Sequence, residues 1–173
     1  MTRSRSRALA PWIVAAALVL FFVLGRGHDG GEPGGAPELA GAPGARVQRV
    51  VDGDTVRLVG LGSVRLIGIN TPEVYGHVQC FGPEASAFAK SVLQGGLAVH
   101  YRVGTEPRDR YGRLLAYVWL PDGRLFNEML AARGYAEPLT IPPNDQLAPR
   151  FAAAAERARR AHAGMWARPG CAP

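Results

Sequence analysis

Residues 51–73 read Val51-Asp52-Gly53-Asp54-Thr55-Val56-Arg57-Leu58-Val59-Gly60-Leu61-Gly62-Ser63-Val64-Arg65-Leu66-Ile67-Gly68-Ile69-Asn70-Thr71-Pro72-Glu73. Val56 and Leu58, then Val64 and Leu66, alternate with polar positions, which is the period of half-buried strands. Asp52-Gly53 and Leu61-Gly62 are turn signals between such runs. The stretch therefore predicts the end of one strand (Arg46–Val51), a second over Thr55–Gly60 and a third over Ser63–Ile69. Polar residues gather where these strands begin and end: Asp54 just past a turn, Asn70 and Thr71 at a strand exit, Glu73 directly after. Pairing of the second and third strands would bring those ends to one point.

Downstream, Pro83-Glu84-Ala85 opens a helix, with Pro early and Glu in the first turn. Phe88, Val92 and Leu93 give it an apolar face, and Gly95-Gly96 ends it. Two more strands follow, Leu97–Val103 and Arg113–Leu120. A second helix covers Leu125–Arg133 and stops at Gly134. A third, capped by Asn144 or Asp145, runs to about His162. Five short strands with a helix after the third fit an α+β, mainly β, domain: a five-stranded Greek-key barrel of the OB type with three helices. Phe126, Trp119, Trp166 and Phe151 are expected in its core.

Upstream, Arg3, Arg5 and Arg7 precede an uncharged, mostly apolar run from Ala8 to Leu24. That is a positive n-region followed by an export segment. The residues after it offer no small-x-small cleavage site, and Ala40-Gly41-Ala42 lies far downstream. Residues 1–24 are therefore expected to be an uncleaved anchor with the N-terminus inside; a cleaved signal is the alternative. Either way the rest of the chain faces outward. Residues 25–45 are a Gly/Pro/Ala-rich linker, residues 46–168 the folded domain, and 169–173 a short tail. In an oxidising compartment Cys80 and Cys171 are candidates for a disulfide tying that tail to the domain; two unpaired thiols are the alternative.

The chain carries 20 Lys and Arg against 14 Asp and Glu, a net charge of +6, and 47% of its residues are hydrophobic. That apolar content excludes global disorder. Removing residues 1–45 takes away four arginines and three acids, leaving 16 − 11 = +5, so the basic excess belongs to the folded part. It suits a polyanionic partner, although many basic proteins are merely soluble this way.

Three polar stretches carry chemistry: Asp52–Thr55, Arg65–Glu73 and Asp109-Arg110-Tyr111-Gly112-Arg113. A carboxylate (Asp54), an amide oxygen (Asn70) and a backbone carbonyl (Thr71, held extended by Pro72) are suitable ligands for a hard cation such as Ca²⁺. Glu73 is in position to orient or deprotonate a water. Arg65 and Arg113, on different strands, can grip a phosphate and stabilise charge developing on it. Taken singly, each of these residues reads as a turn, a strand exit or a surface ion pair; the conjunction carries the reading. The four histidines have no zinc-ligand spacing, and no Ser or Cys has a partner for nucleophilic catalysis.

These motifs resemble those of the staphylococcal nuclease (thermonuclease) family, over about Arg46 to Trp166. The matching elements are residues 51–56, residues 64–73, Gly82–Ala85, residues 109–118, Asn127 with Leu130 and Gly134, and Gly164-Met165-Trp166. The resemblance implies an OB-like barrel and Ca²⁺-dependent hydrolysis of DNA and RNA, with single strands favoured and 3′-phosphates on the products. It implies Asp54, Asn70 and Thr71 as the metal site, Arg65 and Arg113 as the phosphate clamp, Glu73 as the residue managing the attacking water, and Tyr111 as a substrate contact. The expected enzyme is a monomer, tethered to the membrane by its N-terminal segment. Asn70 departs from the aspartate of the best-known members and predicts weaker metal binding. Base-stacking tyrosines of the best-known member are expected to be replaced near Thr140 and Pro142. A non-catalytic nucleic-acid-binding barrel, or a wall- or partner-binding module, is the alternative.

Overall fold

Alternation in the sequence becomes a closed barrel in the computed structural model, which describes residues 39–171. In chain order the elements are β1 (Gly44–Val50), β2 (Thr55–Leu58), β3 (Gly62–Leu66), β4 (Ile69–Asn70), α1 (Gly82–Val92), β5 (Ala98–Arg108), β6 (Leu114–Trp119), α2 (Phe126–Ala132), β7 (Glu137–Pro138) and α3 (Ala148–Arg160). The barrel closes in the order β1-β2-β3-β6-β5. Only β3 and β6 pair in parallel, Arg65 opposite Leu115; the other neighbours are antiparallel. This is the expected five-stranded OB-like barrel with three helices.

The inward residues are those the alternation marks. Val56, Leu58, Val64 and Leu66 are buried, as are Val47, Val99, Ala116 and Val118. Below the barrel, Trp119, Phe126 and Phe151 are fully buried, each contributing about 2–3 kcal/mol of hydrophobic stabilisation. Asn127, also fully buried, ties α2 to the barrel: its Nδ2 donates to the Ile67 carbonyl at 2.9 Å and its Oδ1 accepts from the Val118 amide at 3.0 Å.

Three expectations need correction. The third predicted strand, Ser63–Ile69, is broken at Gly68, whose φ is +80° and whose missing side chain leaves room for the Phe151 ring. The segment beyond this bend forms a separate two-stranded sheet, with Asn70 opposite Glu137. The break turns Asn70 and Thr71 out of the barrel wall and across its rim. Secondly, α3 begins at Ala148 with Leu147 at its N-cap, and neither Asn144 nor Asp145 caps it by a side chain. Asn144 instead serves the backbone of β5: its Oδ1 accepts from the Glu106 amide and its Nδ2 donates to the Glu106 carbonyl. Thirdly, β5 runs on to Arg108, well beyond Val103, after a register irregularity.

Among the described residues no helix is long and apolar enough to cross a membrane. The expected anchor, residues 1–24, and most of the linker lie outside the described residues.

Candidate active site at the barrel rim

Four of the expected site residues form one hydrogen-bonded corner. Asp54 directly precedes β2 and is 7% exposed. Its Oδ2 accepts from the Thr71 amide at 2.8 Å and the Thr71 hydroxyl at 3.0 Å, and lies 3.1 Å from Arg65 Nη2. The same Arg65 nitrogen donates to Asn70 Oδ1 at 2.8 Å, while Nη1 donates to the Leu66 and Ile69 carbonyls. Arg65 is thus bonded across the β3–β4 bend and linked to the carboxylate just ahead of β2.

Gly53 permits the close fit. A Cβ there would sit 2.5 Å from Thr71 Oγ1, nearer than carbon approaches oxygen without bonding. Asp52 supports the turn from the other side, its Oδ1 accepting from the amides of Asp54 at 3.0 Å and Thr55 at 2.7 Å. Burial, and then the nearby Asp54 charge, push the Asp52 carboxyl above its usual range. Two acids this close favour a cation beside them.

Arg113 arrives from the far side. It lies one residue before β6, and Asp109 orients it: Oδ2 accepts from Arg113 Nε at 2.6 Å, while Oδ1 accepts from the Tyr111 and Arg113 amides. Burial opposes the charge on Asp109, but the Arg113 hydrogen bonds, the Tyr111 amide and the Arg113 charge outweigh it and hold the carboxyl below its ordinary value. Arg113 Nη1 reaches Thr55 Oγ1 at 3.4 Å, and that hydroxyl lies 3.3 Å from Asp54 Oδ1. Tyr111 is 68% exposed, with the Arg110 and Arg113 guanidiniums 4.8 and 5.5 Å from its ring centre.

Arg65, Arg113 and Tyr111 line a cleft of about 530 Å³. Its opposite rim is aliphatic: Leu139 and Ile141, both exposed, face it together with Pro142. Of the two positions where tyrosine replacements were expected, Thr140 and Pro142, the cleft takes one. Pro142 lines the cleft; Thr140 does not, and the apolar pair at 139 and 141 takes that side. The apolar-polar-apolar pattern of Leu139-Thr140-Ile141 was the available signal.

Glu73 is set apart. It is exposed, two residues beyond Thr71, and held through its backbone: its amide donates to Gln79 Oε1 at 2.8 Å and its carbonyl accepts from the Gln79 amide at 2.9 Å. Gly82 lets the start of α1 pack against the Glu73 carbonyl. Tyr75 spans back, its hydroxyl donating to the Val51 carbonyl at 2.9 Å. Cys80 and Cys171 have Cα atoms 5.0 Å apart, within bridging distance. Gln79 is a supporting residue the sequence reading missed, and nothing local marked it; Asp109 was named within its stretch but given no role, although its spacing four residues before Arg113 was a usable sign.

Among the described residues no three His, Cys, Asp or Glu side chains cluster as a metal site. Any cation at this corner needs mixed oxygen donors, and the expected set is the Asp54 carboxylate, the Asn70 amide and the Thr71 carbonyl. That set fits a hard ion which accepts several oxygens and waters.

Comparison with known proteins shows the family. The model of the staphylococcal nuclease homologue family matches residues 63–168. A thermonuclease of Staphylococcus intermedius is 41% identical over 128 residues, 70% of this chain and 75% of that protein. A thermonuclease of Staphylococcus hyicus is 34% identical over 160 residues, 89% of this chain and 94% of its own length. Endonuclease YhcR of Bacillus subtilis is 35% identical over 134 residues, but the match spans only 11% of that protein.

Proposed function

The chain belongs to the staphylococcal nuclease family, and from that premise we propose that it is a calcium-dependent nuclease acting outside the cytoplasm. It hydrolyses phosphodiester bonds of DNA and RNA and leaves 3′-phosphates. The observation that carries this reading is the corner itself: Asp54, Arg65, Asn70 and Thr71 joined by hydrogen bonds, beside a cleft lined by Arg65, Arg113 and Tyr111.

Asp54, Asn70 and Thr71 would hold the calcium ion, which when bound supplies positive charge against the substrate phosphate. The chain's own residues do the rest. Arg65 and Arg113 direct N–H groups at the non-bridging oxygens, where negative charge grows as water adds to phosphorus. Asp109 fixes the direction of Arg113; the terminal N–H groups of Arg65 already meet Asp54, Asn70, Leu66 and Ile69, so Arg65 reaches the phosphate through its Nε–H or by releasing one of those partners. Glu73 orients the water and takes its proton. The bond from water oxygen to phosphorus forms, the bond to the 5′-oxygen breaks, and that oxygen leaves as a hydroxyl after taking up a proton from solvent water at the open cleft. Tyr111 packs against the sugar–phosphate at the open end. The aliphatic rim of Leu139 and Ile141 gives a base apolar contact without ring stacking, worth about 1–3 kcal/mol per base where present. Weak base preference follows.

The export reading rests on the arginines at 3, 5 and 7, the apolar run behind them and the two cysteines at bridging distance. The enzyme is a monomer tethered by residues 1–24, or secreted if that segment is cleaved.

The test is cleavage of linear single-stranded DNA by the purified full chain, with calcium or with chelator. Cleavage only with calcium, giving ends that a polymerase extends only after dephosphorylation, is the expected result. Retention of DNA without cleavage in either condition would replace the enzyme with a binding barrel.

A further inference from the structure

Leading away from Arg113, the outer face of the barrel carries basic residues that the reaction above does not use. Strand register defines the row. Arg49 of β1 stands opposite Arg57 of β2, and Arg57 stands opposite Ser63 of β3. In the parallel pairing of β3 with β6, Val64 faces Leu114, so Ser63 is level with Arg113. Side chains opposite one another in a sheet share a face. Val56 and Val64 turn into the barrel and are buried, so Arg49, Arg57, Ser63 and Arg113 lie in one line on the outside.

The row differs from the catalytic corner in its charge balance. Arg65 is paired with Asp54 and Arg113 with Asp109. Among the described residues, Arg49 and Arg57 have no carboxylate partner and no side-chain hydrogen bond. Like charges directly opposite each other weaken a sheet, so this pair works against the fold unless an anion lies across it. Neighbouring strands are about 4.8 Å apart, which puts Arg57 about 10 Å and Arg49 about 14 Å from Arg113 along the sheet.

We propose that Arg49 and Arg57 form a phosphate-tracking extension of the site, holding the backbone of a single-stranded nucleic acid where it runs out from the cleft over the barrel wall. This rests on the nuclease reading for the identity of the ligand, and names its path. Ser63, between Arg57 and Arg113, adds a hydroxyl donor to the same line.

The test separates binding from cleavage. Retention of a single-stranded oligonucleotide by the full chain is measured in chelator, where nothing is cut, over a range of salt. Each phosphate neutralised contributes about 0.7 to the slope of log affinity against log salt. The double variant Arg49→Ala/Arg57→Ala is expected to lose about 1.4 from that slope. Arg57→Lys should keep it, and Arg124→Ala, off the row and paired with Asp122, should match the wild type. An unchanged slope in the double variant overturns the proposal, as does failure of the wild type to retain the oligonucleotide. Thermal melting without DNA guards against a structural explanation: Arg49→Ala is expected to melt no lower than wild type, and a fall of several degrees would assign Arg49 to the fold and overturn the row. If the slope changes as expected but the wild type never cleaves with calcium, the row stands and the nuclease reading falls. If the wild type cleaves and the slope is unmoved, the reverse holds.

Discussion

The corner at Asp54 and the segment that carries Glu73 are adjacent in sequence and differ in construction. At the corner, Asp54 is almost buried, Arg65 spends four donor contacts on the fold, and Thr71 meets Asp54 through both backbone and side chain. Two residues on, the chain leaves for solvent. Tyr75 and Val78 are 60% and 54% exposed, and the segment is fixed by the Gln79 bracket, one Tyr75 hydrogen bond and the Cys80–Cys171 approach. On the proposed reading, the groups that would meet charge are tied into the fold, because an oriented dipole is useful only if it is already aimed. Glu73, which on that reading handles the proton, sits exposed on a loop.

The largest expected effect breaks the rigid side. Arg113→Ala should lower turnover by about 10²–10³-fold with the fold intact, since its close hydrogen bonds are local ones to Asp109 and its reach to buried Thr55 is long, at 3.4 Å. Arg65→Ala should lose at least as much activity and also about 1–3 kcal/mol of stability, because it leaves buried partners unpaired. Steady-state kinetics and melting on both variants check this; a fully active Arg113→Ala would remove that residue from the site.

Next comes the loop. If Cys80 and Cys171 bridge, Cys171→Ser should cost up to about 4 kcal/mol of stability and reduce turnover more than DNA retention, since Glu73 loses its tether. Wild type in reductant should behave alike, and reduced and native protein should differ in mass by two hydrogens. Gly53→Ala attacks the join between the two regions. Its new methyl group displaces Thr71 from Asp54, with an expected loss of about 1–3 kcal/mol and weaker calcium dependence of cleavage, read by melting and by calcium titration.

Asn70→Asp sharpens the comparison. The carboxylate keeps the acceptor Arg65 uses and adds a charge to the oxygen set, so half-maximal activity should need less calcium; an identical titration would show that the amide costs the site nothing. The smallest effect is expected at Glu137, across from Asn70 in the two-stranded sheet. Its Oε1 is buried without a hydrogen-bond partner, and burial raises its pKa. A carboxyl whose folded pKa lies above its unfolded one costs stability as pH rises through that interval. Glu137→Gln should therefore melt higher than wild type at pH 7, with the gain shrinking as pH falls from the raised folded pKa to the ordinary carboxylate value and gone below it.

Much of this was legible in one dimension. Period-two alternation and turn residues gave the barrel strands, and the residue types at strand ends gave Asp54, Arg65, Asn70, Thr71 and Arg113, because local sequence sets which positions can be buried and which chemistry sits at a turn. What stayed hidden depends on contacts between distant parts of the chain. The bend at Gly68 exists because Phe151 of α3 fills the space beside it, and the choice of Leu139 and Ile141 over Thr140 depends on which face of the rim meets the cleft. Asn144 binds β5 rather than capping a helix because the backbone of Glu106 passes next to it. Strand pairing alone put Arg49, Arg57 and Arg113 in line across 64 residues of sequence. Composition fixed the kinds of groups present; only the closed barrel, by choosing which strand lies beside which, decided which of them share a surface.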